Sequence, residues 1–388
     1  MTKIQLIESH QISKNHKYFK ECDDLTFKSK NLWNATNYFI RQHFFKTGEY
    51  LNYNKVNLEF THSNQADYRA LPAKVSKGTQ RLLEKSYKSF FNKSGFRRLP
   101  GYLHKSDGRQ VVHYEKGAIS TKIKGFLQLS KTKIYIKTDH VADFVRIVPK
   151  LDYFVIEVGY SVEVPAPSAT TGTRVASIDL GLNNLAMVSS NVMPPLIING
   201  KPLKSMNMYS NLLIAQSQSM TNGSSHKIRS YYRKRMNKIK DYFHKSSTWL
   251  VQQLVGNHID TLIIGKNDGW KHQSKLKNFV RIPYQLFINM LSYKCSIHGI
   301  NLIEQEESYT SKSSFYSKDP IPVFGTKNEI VFSGKRIKRG LYKEATGELI
   351  NADLNGSLNI LRKSIVWNDT MFNDCVYFSK KPILSYSF

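Results

Sequence analysis

The spacing of apolar positions changes twice along the first part of the chain. Residues 1–24 open with Ile4 and Leu6 in alternation, which predicts a first strand followed by a turn near His16. From 25 to 96 the period lengthens. Leu25, Leu32, Trp33, Tyr38, Phe39 and Phe44 recur near helical spacing, and after Leu71–Pro72 a second helix gathers Val75, Leu82, Leu83, Tyr87, Phe90 and Phe91 on one face. Over 97–164 the period returns to two, in the short runs VVHYE, GAIS, GFLQLS, KIYIKT, FVRIVPK and YFVIEVGYSVEV, punctuated by Gly101, Gly108, Gly117 and Gly125. Such runs predict an antiparallel barrel that the first strand would complete, with 25–96 as an inserted helical block.

Segment 165–173, PAPSATTGT, reads as a linker, and a different architecture begins at Arg174. In RVASIDLGLNNLAMVSS, Val175–Ile178 predict a buried strand, Gly181 and Asn183–Asn184 a tight turn, and Leu185–Val188 the antiparallel return. PLIING adds a third strand before a long helical stretch that starts basic and turns apolar. TLIIG is a strand, IPYQLFINMLSYKCSIHG a helix opened by Pro283, NLIEQE a strand and DLNGSLNILRK a closing helix. Three strands in meander, then alternating helices and strands, predict a five-stranded mixed α/β sheet flanked by helices. The fold class expected is therefore multi-domain α+β.

Charge narrows the partner. Lys and Arg number 57 against 29 Asp and Glu, a formal excess of +28 that a polyanion would relieve, and nucleic acid is the default polyanion. Lys74, Lys77 and Arg81 line the second helix, and Arg229, Arg233 and Lys234 the start of the long helical stretch. Any one of them reads as a solvated lysine or arginine; the set reads as an electrostatic footprint. No apolar run reaches the roughly 18 residues that a membrane helix needs, and the N-terminus is polar too early for a signal, so a cytoplasmic, nucleoid-associated and unsecreted protein is expected. Cys22, Cys295 and Cys375 lack paired spacing, which fits a reducing compartment and argues against a cysteine-held zinc site.

Three acids stand at comparable stations: Asp179 at the end of the first strand, Glu307 after NLIEQE, and Asp353 at the head of the last helix. Asp179 alone would read equally well as a turn cap. Together the three, if they converge on one sheet edge, make a site for hard divalent cations. The element order is that of the ribonuclease H arrangement, whose chemistry uses two ions about 3.5–4 Å apart to stabilise the attacking and departing oxygens of a phosphodiester. Mg²⁺ takes oxygen ligands and keeps several waters, so a few carboxylates suffice, and Mn²⁺ can substitute.

SIDLGLNNLA, the YTSK segment Tyr309–Lys312, and NADLNGSLNILRK resemble the first, post-strand and third motifs of the RuvC nuclease domain in TnpB proteins. These are transposon-encoded RNA-guided DNA endonucleases related to type V CRISPR effectors and to eukaryotic Fanzor proteins. KNLWNATNYFIRQ and YRALPAKVSKGTQRLLEKSYKSFF are similar to that family's recognition helices, inserted into a wedge-type barrel. The resemblance implies that Asp179 and Asp353 are catalytic metal ligands. It further implies a guide RNA derived from the transposon end, a double-stranded DNA target with a short flanking motif, and cleavage in a RuvC site that spans 174–388.

Two departures from the family pattern matter. Most relatives end the fourth strand with Glu, where TLIIG here offers Gly265; a subset, like Fanzor proteins, uses instead a Glu three residues before the Thr of the TSK segment, which is Glu307. Glu306 competes for the role, since side chains alternate across a strand, and Asp268 is a further alternative. The second departure is the insert 313–345, where many relatives hold a four-cysteine zinc module and this chain has no cysteine. Phe315, Tyr316, Val323, Phe324, Val331 and Phe332 there suggest a small apolar core, with Lys335, Arg336, Lys338 and Arg339 as a basic tip against the substrate strand. Lys312 is a candidate phosphate contact, Trp270 with Lys271 a candidate stacking pair, and Asn355 and Asn359 candidate orienting or capping residues. Two other functions fit the same residues: a nuclease-dead RNA-guided repressor, and a transposase-like or structure-specific nuclease that needs no RNA.

Overall fold

The computed structural model describes residues 2–92, 98–166, 172–220, 225–266, 282–325, 330–364 and 366–388. They form two compact units, Lys3–Val162 and Glu163–Phe388, the latter with the first two residues.

In the Lys3–Val162 unit, β1 (Thr2–Ile12) leads into α1 (Phe19–Thr47), α2 (Tyr53–His62), α3 (Ala66–Arg69) and α4 (Ala73–Phe91). Helix α1 starts six residues earlier than its first leucine suggests, because Cys22 is fully buried and extends the apolar face by one turn ahead of Leu25 and Leu32. It stops where Gly48 adopts φ +73° and returns its N–H to the Phe44 carbonyl. Polar ties join the helices: Ser29 and Thr79 share a 3.0 Å hydrogen bond, and the Tyr87 hydroxyl donates to Asn37 at 2.6 Å. Strands β2 (Val112–Glu115), β3 (Ile119–Ser120), β4 (Phe126–Leu129), β5 (Tyr135–Lys137), β6 (Phe144–Pro149) and β7 (Phe154–Val164) follow. They pair as two sheets, β1-β7-β6-β2 and β3-β4-β5, so the first strand joins those that follow the helices. Alternation decides the faces: Val112, Tyr114, Val145, Ile147, Ile156 and Val158 point into one core with Leu32, Val75 and Leu83.

The Glu163–Phe388 unit opens with β8 (Val175–Leu180), β9 (Asn184–Ser190) and β10 (Leu196–Asn199), followed by α5 (Lys201–Ser219) and α6 (His226–Gly256). Next come β11 (Thr261–Lys266), α7 (Tyr284–Ile297) and β12 (Asn301–Glu306), then β13 (Lys335–Lys338), β14 (Leu341–Lys343) and β15 (Leu349–Asn351). The unit closes with α8 (Ala352–Lys363), α9 (Thr370–Ser379) and β16 (Leu384–Tyr386). The main sheet has the order β12-β11-β8-β9-β10-β16. Strand β8 is central, antiparallel to β9 and parallel to β11, which is parallel to β12. Both faces are covered, so its strands read as apolar runs. Ala176, Ile178, Leu262 and Ile264 face Leu250, Leu254, Phe287 and Leu291 of α6 and α7, while Val175, Met187 and Ile263 face Leu354, Leu358 and Leu361 of α8.

The expected five-stranded sheet is corrected to six. Three residues, Leu384–Tyr386, pair parallel to β10 after α9, and so short a run carries no readable period. The insert 313–345 is also corrected. Phe315 is fully buried, but in the core beneath α8, whereas Val323, Phe324 and Val331 are 66%, 80% and 89% exposed and build no separate core. Strands β13, β14 and β15 form a small antiparallel sheet instead. Asp268, Trp270, Lys271 and most of the linker, 167–171, lie outside the described residues.

Candidate functional site

Alternation along β8 places Val175, Ser177 and Asp179 on the face toward α8. A buried knot of hydroxyls holds that face. Ser177 Oγ lies 2.9 Å from Ser189 Oγ of β9 and donates to the Ser357 carbonyl of α8 at 2.7 Å, and Ser357 Oγ lies 2.9 Å from Ser189 Oγ. The knot sets the height of α8 against β8, so that Asp353, in the first helical turn, meets the level of Asp179. One residue before Ser357, Gly356 permits the close approach: a Cβ there would stand 2.6 Å from Asp179 Oδ2. Gly356→Ala is therefore expected to displace the Asp179 carboxylate and weaken Mn²⁺ binding about 10- to 100-fold by isothermal titration calorimetry, with an unchanged circular dichroism spectrum.

Helix α8 starts at Asn351, whose side chain accepts from the N–H groups of Asp353 at 2.9 Å and Leu354 at 3.1 Å. That corrects the capping role read for Asn355. Asn355 instead donates to the Ser313 carbonyl at 2.8 Å and accepts from Phe315 N–H at 3.0 Å. Asn359 donates to the carbonyls of Thr310 and Ser313 at 3.0 and 2.6 Å, so both asparagines bind the turn that carries YTSK to α8.

The two glutamates at the end of β12 separate cleanly. Glu306 accepts from Lys363 Nζ at 2.5 Å and from the Ser308 N–H at 2.6 Å. Burial raises its pKa, and the hydrogen bonds from Lys363 and Ser308 outweigh this and leave it below the ordinary value. Glu307 shares the alternation of Ile303 and Gln305, and Gln305 lies opposite Gly265 in the parallel β11–β12 pair. A Cβ on Gly265 would stand 2.8 Å from Glu307 Oε2 and 2.5 Å from Ile360 Cδ1. The space that a side chain at 265 would need is thus shared by the Ile360 side chain and the Glu307 carboxylate.

Asp353 is oriented from two sides: Asn184 Nδ2 donates to Oδ2 at 2.8 Å, and Arg336 of β13 donates to Oδ1 at 3.2 Å. Asp179 sits in the floor of a crevice of about 460 Å³ that Asn184, Lys201, Ser311, Arg336, Arg339 and Asp353 also line. Although one edge of the residue meets solvent, the protein packed around its carboxyl, and then the charges of Glu307 and Asp353, hold its pKa well above the usual carboxylate value, with Arg336 opposing. Tyr284 donates its hydroxyl to the Gly181 carbonyl at 2.9 Å, which steadies the turn after Asp179. Among the described residues, no three His, Cys, Asp or Glu side chains stand in a ready metal cage. Asp353 is turned instead to the Arg336 guanidinium, the cation present beside it.

Of the basic candidates, Arg336 and Arg339 line this crevice and Lys335 precedes them on the same hairpin. Lys312 is exposed, with Nζ 5.8 Å from the Tyr309 ring. Arg229, Arg233 and Lys234 lie on α6, Lys234 exposed. Lys74, Lys77 and Arg81 lie on α4 in the other unit, where Arg81 is engaged by Glu115 at 2.5 Å. Sequence reasoning missed Asn184, Lys201, Tyr284 and Gly356. Asn184 read as a turn residue, and only its distance to a residue 169 positions away assigns it more. No described helix is long and apolar enough to cross a membrane.

Two family models match this chain: the probable transposase OrfB_IS605 over residues 157–271, and the Cas12f1-like TNB domain over residues 284–360. TnpB-like protein ORF457 of Acidianus two-tailed virus is 25% identical over 219 residues, which cover 53% of this chain and 44% of that protein. The match thus spans less than half the length of the viral relative. Among solved structures, the Cas12f1 chain of a Cas12f1-sgRNA-target DNA complex superposes with a TM-score of 0.51 at 13% identity, covering 87% of this chain and 81% of that one. At that identity the likeness is one of fold, a mixed α/β multidomain architecture. The two partial family matches, one on the segment that carries Asp179 and one on the segment that carries Glu307 and Asp353, together with the viral relative, make this chain similar to TnpB-like proteins.

Proposed function

We propose that the protein is an RNA-guided DNA endonuclease whose hydrolytic centre is formed by Asp179, Glu307 and Asp353. One observation carries the reading. Where Gly265 offers no ligand, the Glu307 carboxylate comes from the adjacent parallel strand into the space beside it, and its charge is felt at Asp179 together with that of Asp353. A donor set of three carboxylates suits Mg²⁺, or Mn²⁺ in its place. Such ions, when bound as a pair, activate the attacking water and stabilise the departing oxygen.

The chain's own residues hold and orient. Asn184 and the Asn351 cap fix Asp353, Gly356 leaves room for Asp179, and the serine knot keeps the two elements level. Arg336 and Arg339 present guanidiniums to the crevice, and their fork geometry matches phosphate oxygens. We assign residues 174–388 to this nuclease domain, with the insert 313–345 as a substrate contact, and 165–173 to a linker. Residues 1–24 and 97–164 would close as a wedge-type barrel around the helical block 25–96. Together with Lys74, Lys77, Arg81, Arg229, Arg233 and Lys234, these would hold a guide RNA from the transposon end and read a short motif beside the DNA target. Base pairing then selects the sequence, while the protein grips backbone and A-form shape.

The test is purification after expression with the native flanking DNA, sequencing of co-purified RNA, and incubation with a plasmid that carries the matching target. A discrete RNA and Mg²⁺-dependent linearisation are expected. RNA without scission would make the protein a guided binder, and scission without RNA would make it an unguided nuclease; either overturns the proposal.

A further inference from the structure

The Lys3–Val162 unit contains a cavity of about 490 Å³ where β1 and β7 meet the β3-β4-β5 sheet. Ile12, Ile136 and Ile156 form its base and are buried at 3%, 4% and 1% exposure. Its walls are aromatic. Tyr18, Phe126 and Tyr135 line it, and Phe126 and Tyr135 remain 38% and 36% exposed, beside Ile123 at 52%. One exposed apolar side chain is ordinary on a soluble protein, but a concave set of them above a closed core is not. The volume lies within the roughly 300–1,000 Å³ of small-molecule sites.

The rim is cationic or imidazole-bearing. Lys17 Nζ stands 4.8 Å from the Tyr18 ring centroid, Lys137 is exposed at the end of β5, and His10 and His16 complete the lining. The nearby Glu8 carboxylate accepts from the Thr138 hydroxyl, and among the described residues neither lysine has a carboxylate partner. An apolar metabolite would use the walls and leave the lysines idle, and an acidic peptide would use the lysines but not the flat aromatic faces. A nucleotide uses both, because its base stacks and its phosphate is anionic.

We infer that this cavity seats one unstacked nucleobase between Tyr18, Phe126 and Tyr135, with the flanking phosphate against Lys17 and Lys137. The inference rests on the proposed nucleic-acid function and adds a base-sized receptor to it. The same chemistry is offered by RNA and by single-stranded DNA, and the experiment separates them.

The full chain is titrated with twelve-residue adenine oligonucleotides, one RNA and one DNA, each carrying 2-aminopurine. Wild-type protein is expected to quench the fluorophore. The double variant Phe126→Ala/Tyr135→Ala should lose most of that quenching and bind about 5- to 100-fold more weakly. Tyr135→Phe, which keeps the ring, should behave as wild type. Lys17→Ala and Lys137→Ala should each reduce the dependence of log K on log salt by about 0.7. The stronger of the two oligonucleotides identifies the source of the base. If the double variant keeps its circular dichroism spectrum and binds and quenches as wild type does, the cavity inference is overturned and the nucleic-acid function stands. If wild-type protein binds neither oligonucleotide, the cavity inference is overturned, while the proposed function stands or falls on the cleavage of its matched plasmid.

Discussion

Glu307→Gln is expected to lower DNA cleavage by more than about 100-fold while leaving nucleic-acid binding intact, and Glu306→Gln is expected to leave cleavage per folded molecule within a few fold. Partners that merely orient a ligand cost 10- to 100-fold when removed, so loss of a ligand itself costs more. The contrast between neighbours is what makes the experiment specific. Glu306 is committed to Lys363, a side chain only 9% exposed, so its replacement weakens the fold locally rather than the crevice. Glu307 lies against Gly265 and raises the pKa of Asp179, which places its charge with the other acids. Plasmid cleavage measured beside binding by fluorescence anisotropy separates the two outcomes. Equal loss in both variants would contradict the assignment.

The second large effect concerns stability. Burial first, and then Glu307 and Asp353, raise the pKa of Asp179 in the folded chain. A raised folded pKa contributes stability that is fully present below the unfolded value of 3.8 and is lost as pH rises toward and through the folded value, so raising pH to neutrality costs the metal-free protein stability at Asp179. Two results follow. Asp179→Asn should raise the melting temperature of the metal-free protein at pH 7 by a few degrees, and the gain should disappear near pH 3. Mg²⁺ should stabilise the wild type, by about 2.7 kcal/mol at 100 times its Kd, and leave Asp179→Asn almost unmoved. For a unit of this size that corresponds to about 5–10 °C by differential scanning calorimetry. A wild-type melting temperature indifferent to Mg²⁺ would remove the physical basis for a cation site.

How much of this was legible depends on whether the information is local. The order of strands β8 to β12 and of helices α7 and α8 shows in the sequence because each carries its own period and its own stop signal, whereas the short strands β13 to β15 do not. Asp179, Glu307 and Asp353 stand out for the same reason: each terminates or begins such an element. The choice between Glu306 and Glu307 was only half legible, since alternation says that the two diverge but not which reaches Gly265. That needs the β11–β12 register and the pairing of Glu306 with Lys363, the last residue of α8.

Contacts between distant segments were not legible at all. Arg336 could be read as part of a basic tip, but nothing local says that it would donate to Asp353, or that Asn184 would hold the opposite oxygen. Gly265 and Gly356 show the same limit from the other direction. A glycine in a strand or helix signals a close approach without naming what approaches: here Asp179 at Gly356, and Ile360 together with Glu307 at Gly265. The apolar residues of the insert misled because hydrophobicity predicts burial only when a partner surface exists, and Val323, Phe324 and Val331 have most of their surface open.

The most direct measurement is anomalous diffraction from crystals soaked in Mn²⁺. The account predicts Mn²⁺ peaks beside Asp179, Glu307 and Asp353, the residues that would hold the ions, with the Arg336 guanidinium moved off Asp353. A crevice without peaks at saturating Mn²⁺, with Arg336 still paired to Asp353, would contradict it.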